Sequence, residues 1–310
     1  MLISVIICTY NRADKIVKCL DSIHESLKNA PSVDAQNAEI VIVNNNSTDN
    51  TVDIIEQWTT KSDFPIHLVT ETKQGIAWAR NRSFETAKGD ILISIDDDCC
   101  MDKNHIKNTL AHYEKDTQPV LRFGQLELGD QEDWPMTVQT RPVVKRWQKG
   151  VADYDYLGMG DVCSANMVIP RAIIDAIGRY DNRFGTKQIP GGEDADFGFR
   201  VYNAGFLMEY VPDIIAQHYH GRRTAEAVQK LVKGYSIAAG ALYAKHHVHH
   251  PRLAKAFSSK EFPADPPGKY DNDARKPEIR AFHKQSKKFY ILGAFMFMKA
   301  AFKQRLLGQQ

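Results

Sequence analysis

Four apolar runs of strand length, separated by stretches of helical period, dominate the N-terminal third of this 310-residue chain. They are Ile3 to Cys8, Ile40 to Val43, Ile66 to Val69 and Ile91 to Ile95. A continuous apolar run suits a strand covered on both faces, and strands that alternate with helices pair in parallel through crossovers. Between the first two runs, Ile16, Leu20, Ile23 and Leu27 recur at helical spacing after the candidate caps Asn11 and Asp14. A second helix follows Ser47 and Thr48, using Val52, Ile55 and Trp58 or Thr59, and a third spans about Ile76 to Ala87. The pattern predicts an α/β fold with a mostly parallel central sheet flanked by helices.

From about Val120 the pattern changes to scattered strands, a polar stretch from Asp130 to Trp134, and glycine- and proline-rich loops. Helical spacing returns at Arg171 to Ile177, at Asp194 to Asn203, and in a long region beginning near Thr224. Residues 251–280 are polar and proline-rich and read as a mobile loop or linker. The chain is 43% hydrophobic and 25% charged, which excludes a disordered or collagen-like polymer. A net charge of +2 gives no global field for nucleic acid, so an anionic ligand needs a local site.

Five cysteines, an odd number without C-x-x-C spacing, point to a reducing compartment. The apolar N-terminus MLISVIICTYNR lacks a basic n-region and a small-residue cleavage site, so it reads as a core strand and not as a signal peptide. The longest uncharged apolar stretch, Phe289 to Met298, is about half the roughly 20 residues needed to cross a bilayer. A cytoplasmic protein is expected.

In α/β sheets of this kind, ligands bind beyond the carboxyl ends of the parallel strands. The first strand ends in Thr9-Tyr10-Asn11-Arg12, with no glycine-rich dinucleotide or P-loop string near it. The second ends in Asn44-Asn45-Asn46-Ser47, short amides that either read a base or ribose edge or simply make a turn. The fourth ends in Asp96-Asp97-Asp98. Three adjacent carboxylates repel one another unless a cation sits among them, and hard divalent ions take oxygen ligands while leaving positions open for phosphate. The string predicts a metal-diphosphate site. Downstream, Gly191-Gly192 leave room for a substrate, and Glu193-Asp194 open a helix whose positive end helps keep a carboxylate ionised for general-base work.

Taken together, SVIICTYNR, IVNNNSTDNT, GIAWARNRSFETAKGDILISIDDD, SANMVIPR and GGEDADFGFR resemble glycosyltransferase family 2 up to about residue 240. These are inverting, nucleotide-sugar-dependent enzymes of the GT-A fold, a Rossmann-like sheet. The resemblance implies a GT-A catalytic domain over residues 1–240, divided into a nucleotide-binding half (1–119) and an acceptor-binding half (120–240). Residues 241–310 would then form a helical extension. It implies that Thr9, Tyr10 and Arg12 surround the nucleotide, with Tyr10 stacking on the base, and that Asn45 with Asn44 reads the base. Arg80 and Asn81 would face the diphosphate, Asp96 and Asp97 would hold the ribose or a metal-bound water, and Asp98 would bind Mg²⁺ or Mn²⁺. Asp194 becomes the catalytic base and Glu193 orients the acceptor hydroxyl.

The resemblance also implies a histidine near this point that completes the metal site or touches the diphosphate, so past YVPDIIAQ His218 and His220 are both candidates, and Arg222 and Arg223 are candidate phosphate clamps. The histidine cluster between His246 and His250 reads as a solvated helix end. Trp134, Trp147, Tyr154 and Tyr156 either stack on sugar rings or pack. Residues 283–310 carry six lysines or arginines and no acid, which fits either peripheral contact with the inner face of an anionic membrane or a helix packed on this domain or another subunit. The implied function is metal-dependent, hexosyltransferase-type transfer of a sugar from a nucleotide-diphosphate sugar to a hydroxyl of a glycan or lipid-linked saccharide. A catalytically silent nucleotide-sugar-binding subunit of a glycan-assembly complex, of open oligomeric state, is the alternative.

Overall fold

The computed structural model describes residues 1–152, 157–247, 270, 273–286 and 288–306. Its four N-terminal strands, β1 (Ile3–Thr9), β2 (Ala38–Asn44), β3 (Ile66–Thr70) and β4 (Ile91–Asp96), are each slightly longer than the apolar runs. They pair in parallel in the order β3-β2-β1-β4, with α1 (Ile16–Lys28), α2 (Thr51–Thr59) and α3 (Ile76–Thr86) in the connections. Alternate side chains feed two cores: Val5 and Ile7 face one side of the sheet with Ile40 and Ile42, while Ile6 faces the other with Val41 and Val43. β3 departs from the expected two-sided burial because it forms the sheet edge and is only half-buried. α1 also starts without a side-chain cap. Asn11, at φ 52°, instead accepts the Thr48 backbone N–H at 2.8 Å, fastening the loop after β1 to the loop after β2.

The second half joins the sheet in mixed sense. It comprises β5 (Cys99–Met101), α4 (His105–Tyr113), β6 (Val120–Leu128), β7 (Lys145–Trp147), β8 (Asn166–Pro170), α5 (Arg171–Ile177), α6 (Glu193–Asn203), β9 (Leu207–His218) and α7 (Ala225–His246). β8 runs antiparallel beside β4 and β6 antiparallel beside β8, while β9 is parallel to β6. β5 and β7 both pair antiparallel with β9. α7 begins where helical spacing places it, with Thr224 Oγ1 accepting the Ala227 N–H at 3.3 Å, and it runs through the expected boundary at residue 240.

Two helices close the chain, α8 (Lys276–Ser286) and α9 (Lys288–Leu306). The linker reading of 251–280 is corrected at its end, since 276–280 open α8; residues 251–269, 271 and 272 lie outside the described residues. Arg275 donates to the carbonyls of Asp133 (2.8 Å) and Glu132 (3.2 Å), and Ile279 packs with Trp134, Val228 and Val232. α9 lies along α7 with the backbones nearly touching. A Cβ at Gly240 would fall 1.9 Å from the Tyr290 carbonyl oxygen, and one at Gly293 would fall 1.9 Å from that of Ile237. Glycine is the only residue that permits this approach.

Two further expectations resolve here. His246 does not sit at a solvated helix end, because its Nε2 lies 2.7 Å from Asp196 Oδ1 in the interior, where the ionised Asp196 needs partners. His247 is exposed at the end of the helix, as expected, while Val248, His249 and His250 lie outside the described residues. Trp147 is fully buried against Phe123, and Trp134 stacks on Phe282, so both pack; Tyr154 and Tyr156 are outside the described residues. Among the described residues no helix is long and apolar enough to cross a membrane, and the five cysteines are free thiols.

Candidate active site

Sheet register decides which strand ends meet. β1 lies between β2 and β4, with Thr9 opposite Asn44 and Cys8 opposite Asp96, so the polar residues after all three strands open on one edge. Tyr10 stands exposed there, which excludes a core role for its ring. Arg12 reaches across to the turn after β4, with Nε 3.1 Å from Asp97 Oδ1 and Nη2 3.5 Å from Asp98 Oδ2. Burial raises the Asp97 carboxyl to about 6, an effect the Arg12 charge only partly offsets.

Asp98 meets β9. Cys99 pairs with His218 in the ladder, which sets His218 Nε2 3.1 Å from Asp98 Oδ1. Burial opposes the charge on Asp98, but the hydrogen bond and charge of His218 hold its carboxyl well below the usual range, while the same pairing raises His218 against its own burial. The other ring nitrogen, Nδ1, lies 3.0 Å from the Thr137 carbonyl. With Nδ1–H donating there, Nε2 turns a lone pair toward a carboxylate, an arrangement that requires a proton or a cation between them. A carboxylate oxygen of Asp98 and Nε2 of His218, both buried and side by side, are a donor set that suits a divalent ion. The Cys99 thiol lies within 4.8 Å of both ligand atoms, and the residue is fully buried in the core.

The structure separates the two histidines and the two arginines that the sequence leaves open. His220 Nε2 donates to the Trp134 carbonyl (3.1 Å) and its Nδ1 accepts the Arg222 N–H (3.0 Å), so both nitrogens are engaged; burial and the nearby His218 charge lower it to about 4. Arg223 is held by Asp130 (2.5 Å), Glu132 (2.6 Å) and Asp133 (3.2 Å). Arg222, by contrast, has Nη1 buried without a hydrogen-bond partner among the described residues, and its charge helps hold Asp98 down.

Across the cleft, α6 opens with Glu193 and Asp194. Arg80 of α3 is buried between the two acidic strings, with Nη1 2.5 Å from Glu193 Oε1 and Nη2 3.2 Å from Asp96 Oδ1. It is therefore neither a surface salt bridge nor an open diphosphate ligand. Glu193 Oε2 is buried with no hydrogen-bond partner among the described residues. Asp194 accepts the Ala195 N–H at 2.8 Å, and burial together with the adjacent Glu193 carboxylate raises it to about 7, against the pull of Arg80. A carboxylate near 7 is tuned for proton abstraction at neutral pH.

Three amides make hydrogen bonds within the fold. Asn45 Nδ2 donates to the carbonyls of Glu71 (3.0 Å) and Lys73 (2.8 Å), and its Oδ1 accepts the Gly75 N–H (2.9 Å), clamping the loop into α3. Asn44 Oδ1 accepts the Ser47 N–H at 3.0 Å, closing the turn after β2. Asn81 is buried, donating to the Tyr180 carbonyl (2.9 Å) and Asn182 Oδ1 (2.8 Å) while accepting the Tyr180 N–H (2.8 Å), so it anchors the segment after α5. Sequence reasoning missed Thr137, whose carbonyl fixes the His218 ring from a left-handed φ of 51° that a β-branched residue rarely adopts. It also missed Tyr235 of α7, half-exposed beside Gly191. No local motif marks either.

The family model described as Glycosyl transferase family 2 matches residues 4–178. Over 257 residues the chain is 25% identical to the dolichyl N-acetyl-alpha-D-glucosaminyl phosphate 3-beta-D-2,3-diacetamido-2,3-dideoxy-beta-D-glucuronosyltransferase of Methanococcus voltae, covering 78% of this chain and 74% of that one. Other curated relatives are longer than the match, the chain spanning 42% of one and 66% of another. Among solved structures it resembles S. aureus TarS 1–349 in complex with UDP (TM-score 0.56, 14% identity, 97% of this chain and 92% of that one). It also resembles the mannosyltransferase PcManGT from Pyrobaculum calidifontis in complex with GDP-Man and Mn²⁺ (TM-score 0.52, 18% identity, 96% and 74%). At these identities the structures establish the fold, a GT-A sheet with flanking helices.

Proposed function

The chain belongs to glycosyl transferase family 2, and on that premise we propose that it transfers a sugar from a nucleotide-diphosphate sugar to an acceptor hydroxyl with inversion, assisted by a divalent metal. The observation that carries this reading is the Arg80 bridge, which ties Asp96 at the strand end to Glu193 beside a carboxylate of pKa about 7. In this reading Tyr10 offers its exposed ring to the base and Thr9 and Arg12 border the nucleotide. Asp96 and Asp97 face the ribose side. Asp98 and His218 Nε2 would hold Mg²⁺ or Mn²⁺, which when bound offsets charge developing on the departing diphosphate. Arg222 lends its Nη1, which has no hydrogen-bond partner among the described residues, to the same diphosphate.

On the opposite face Asp194 takes the proton of the acceptor hydroxyl as that oxygen attacks the anomeric carbon, and no covalent intermediate is needed. Glu193 Oε2 accepts a hydrogen bond from the acceptor and fixes its approach. The named relative from Methanococcus voltae acts on a dolichyl phosphate-linked sugar, which supports a glycan or lipid-linked saccharide as acceptor. The test is thermal stabilisation by UDP, GDP, dTDP and CDP, each with and without Mn²⁺. Stabilisation by one nucleotide that depends on the metal is the expected result, and no shift with any of them would overturn the reading.

A further inference from the structure

α9 presents a row of large apolar side chains to solvent. Ile291, Phe295, Met298 and Phe302 follow one another at i, i+4, i+7 and i+11, a single stripe, and are 71%, 60%, 56% and 65% exposed. The opposite face is occupied: Phe297 is buried against Phe184, and Gly293 lies on α7. Lys288, Lys299 and Lys303 stand exposed along the stripe, and residues 283–310 contain no acid. Among the described residues, the outer face of α9 is therefore apolar and cationic.

We propose that this stripe seats α9 in the interface of an anionic lipid bilayer, flat against the headgroups. Charge decides between occupants. A second copy meeting the stripe face to face would set lysine rows beside lysine rows, whereas an anionic surface neutralises them. The helix is already folded and fixed on α7, so it enters the interface without a coil-to-helix transition. Its inner face stays on protein, so the contact is with one leaflet. The proposal adds a surface to the transfer reaction and does not depend on it, since binding is read without substrate.

The full-length chain is incubated with vesicles of phosphatidylcholine alone and of phosphatidylcholine mixed with phosphatidylglycerol, and its sedimenting fraction is measured. Sedimentation with the mixed vesicles, at least tenfold weaker for Phe295→Asp/Phe302→Asp, is expected. Lys299→Gln/Lys303→Gln should lose about fivefold in partitioning per lysine, and added salt should weaken the wild type further. Cooperative thermal unfolding of both variants without nucleotide reports that the fold is intact, and the nucleotide response is read separately, so this result and failure of the transferase reading are distinguishable. A wild-type chain that stays in the supernatant, or a Phe295→Asp/Phe302→Asp variant that sediments equally well, overturns the proposal. So does a dimer in sedimentation equilibrium that these substitutions dissociate while vesicles capture nothing.

Discussion

Arg80 Nη1 stands 2.5 Å from Glu193 Oε1 while Nη2 of the same guanidinium stands 3.2 Å from Asp96 Oδ1, so one buried cation joins the end of β4 to the start of α6. These residues are 113 and 16 positions apart in sequence. The link explains how two acidic strings can share a cleft without repelling each other.

Removing that cation should be expensive. Arg80→Met leaves Glu193 charged, buried and unpaired, and we expect a loss of about 3–5 kcal/mol in urea unfolding. Adding Glu193→Gln should restore part of it. A double-mutant cycle with no coupling between the two sites would show the bridge to be energetically idle.

Asp194→Asn should keep nucleotide affinity while lowering turnover at least roughly a hundredfold, the low end of general-base effects. In the wild type the base must be ionised, so turnover should fall about tenfold per pH unit below about 7. Stability runs the opposite way. A carboxyl raised from 3.8 to about 7 on folding destabilises the native state once ionised, fully so above 7, with the penalty fading as pH falls toward 3.8. Asp194→Asn should therefore raise the melting temperature above pH 7 and lose that advantage in acid. Unchanged turnover would remove Asp194 from its role.

His218→Ala and Asp98→Ala should each abolish the Mn²⁺ dependence of nucleotide binding. Metal must displace a proton from His218, whose pKa lies above its ordinary 6.5, so Mn²⁺ affinity measured by calorimetry should fall as pH drops through that raised value. Affinity independent of pH, with both variants still responding to Mn²⁺, would move the metal elsewhere.

His246→Ala should destabilise the fold by about 1–3 kcal/mol through loss of a buried hydrogen bond to Asp196, without touching the cleft. Thermal unfolding measures the first expectation and nucleotide affinity the second. A large change in affinity at unaltered stability would contradict this assignment.

How far the sequence carries depends on the range of each interaction. β1, β2 and β4 are legible because a strand buried on both faces is mostly apolar, the buried Ser4 and Glu39 being paired with each other, and Arg171 to Ile177 because its apolar spacing is local. β3 misleads, since Ile66 to Val69 carries the same signal at an edge as in the middle. Asp98 and Asp194 stand out in the sequence because each lies in a run of acidic residues at a strand end or a helix start. The roles of Arg80, Asn45 and Asn81 cannot, because their partners lie on other elements and only the folded chain reveals which carbonyls and carboxylates they meet. The two histidines differ for the same reason: His218 is aimed by Thr137 and His220 by Trp134, neither of which is marked by any pattern.

The crossing of Gly240 and Gly293 has a mechanical meaning. With backbone against backbone, α9 can neither roll nor slide on α7 without collision, so the pair behaves as a single beam. One end of that beam follows directly from His220 and Arg222, and its flank sets Tyr235 beside Gly191. Whatever holds α9 therefore also sets the angle at which the cleft faces its surroundings, much as a keel sets the heading of a hull.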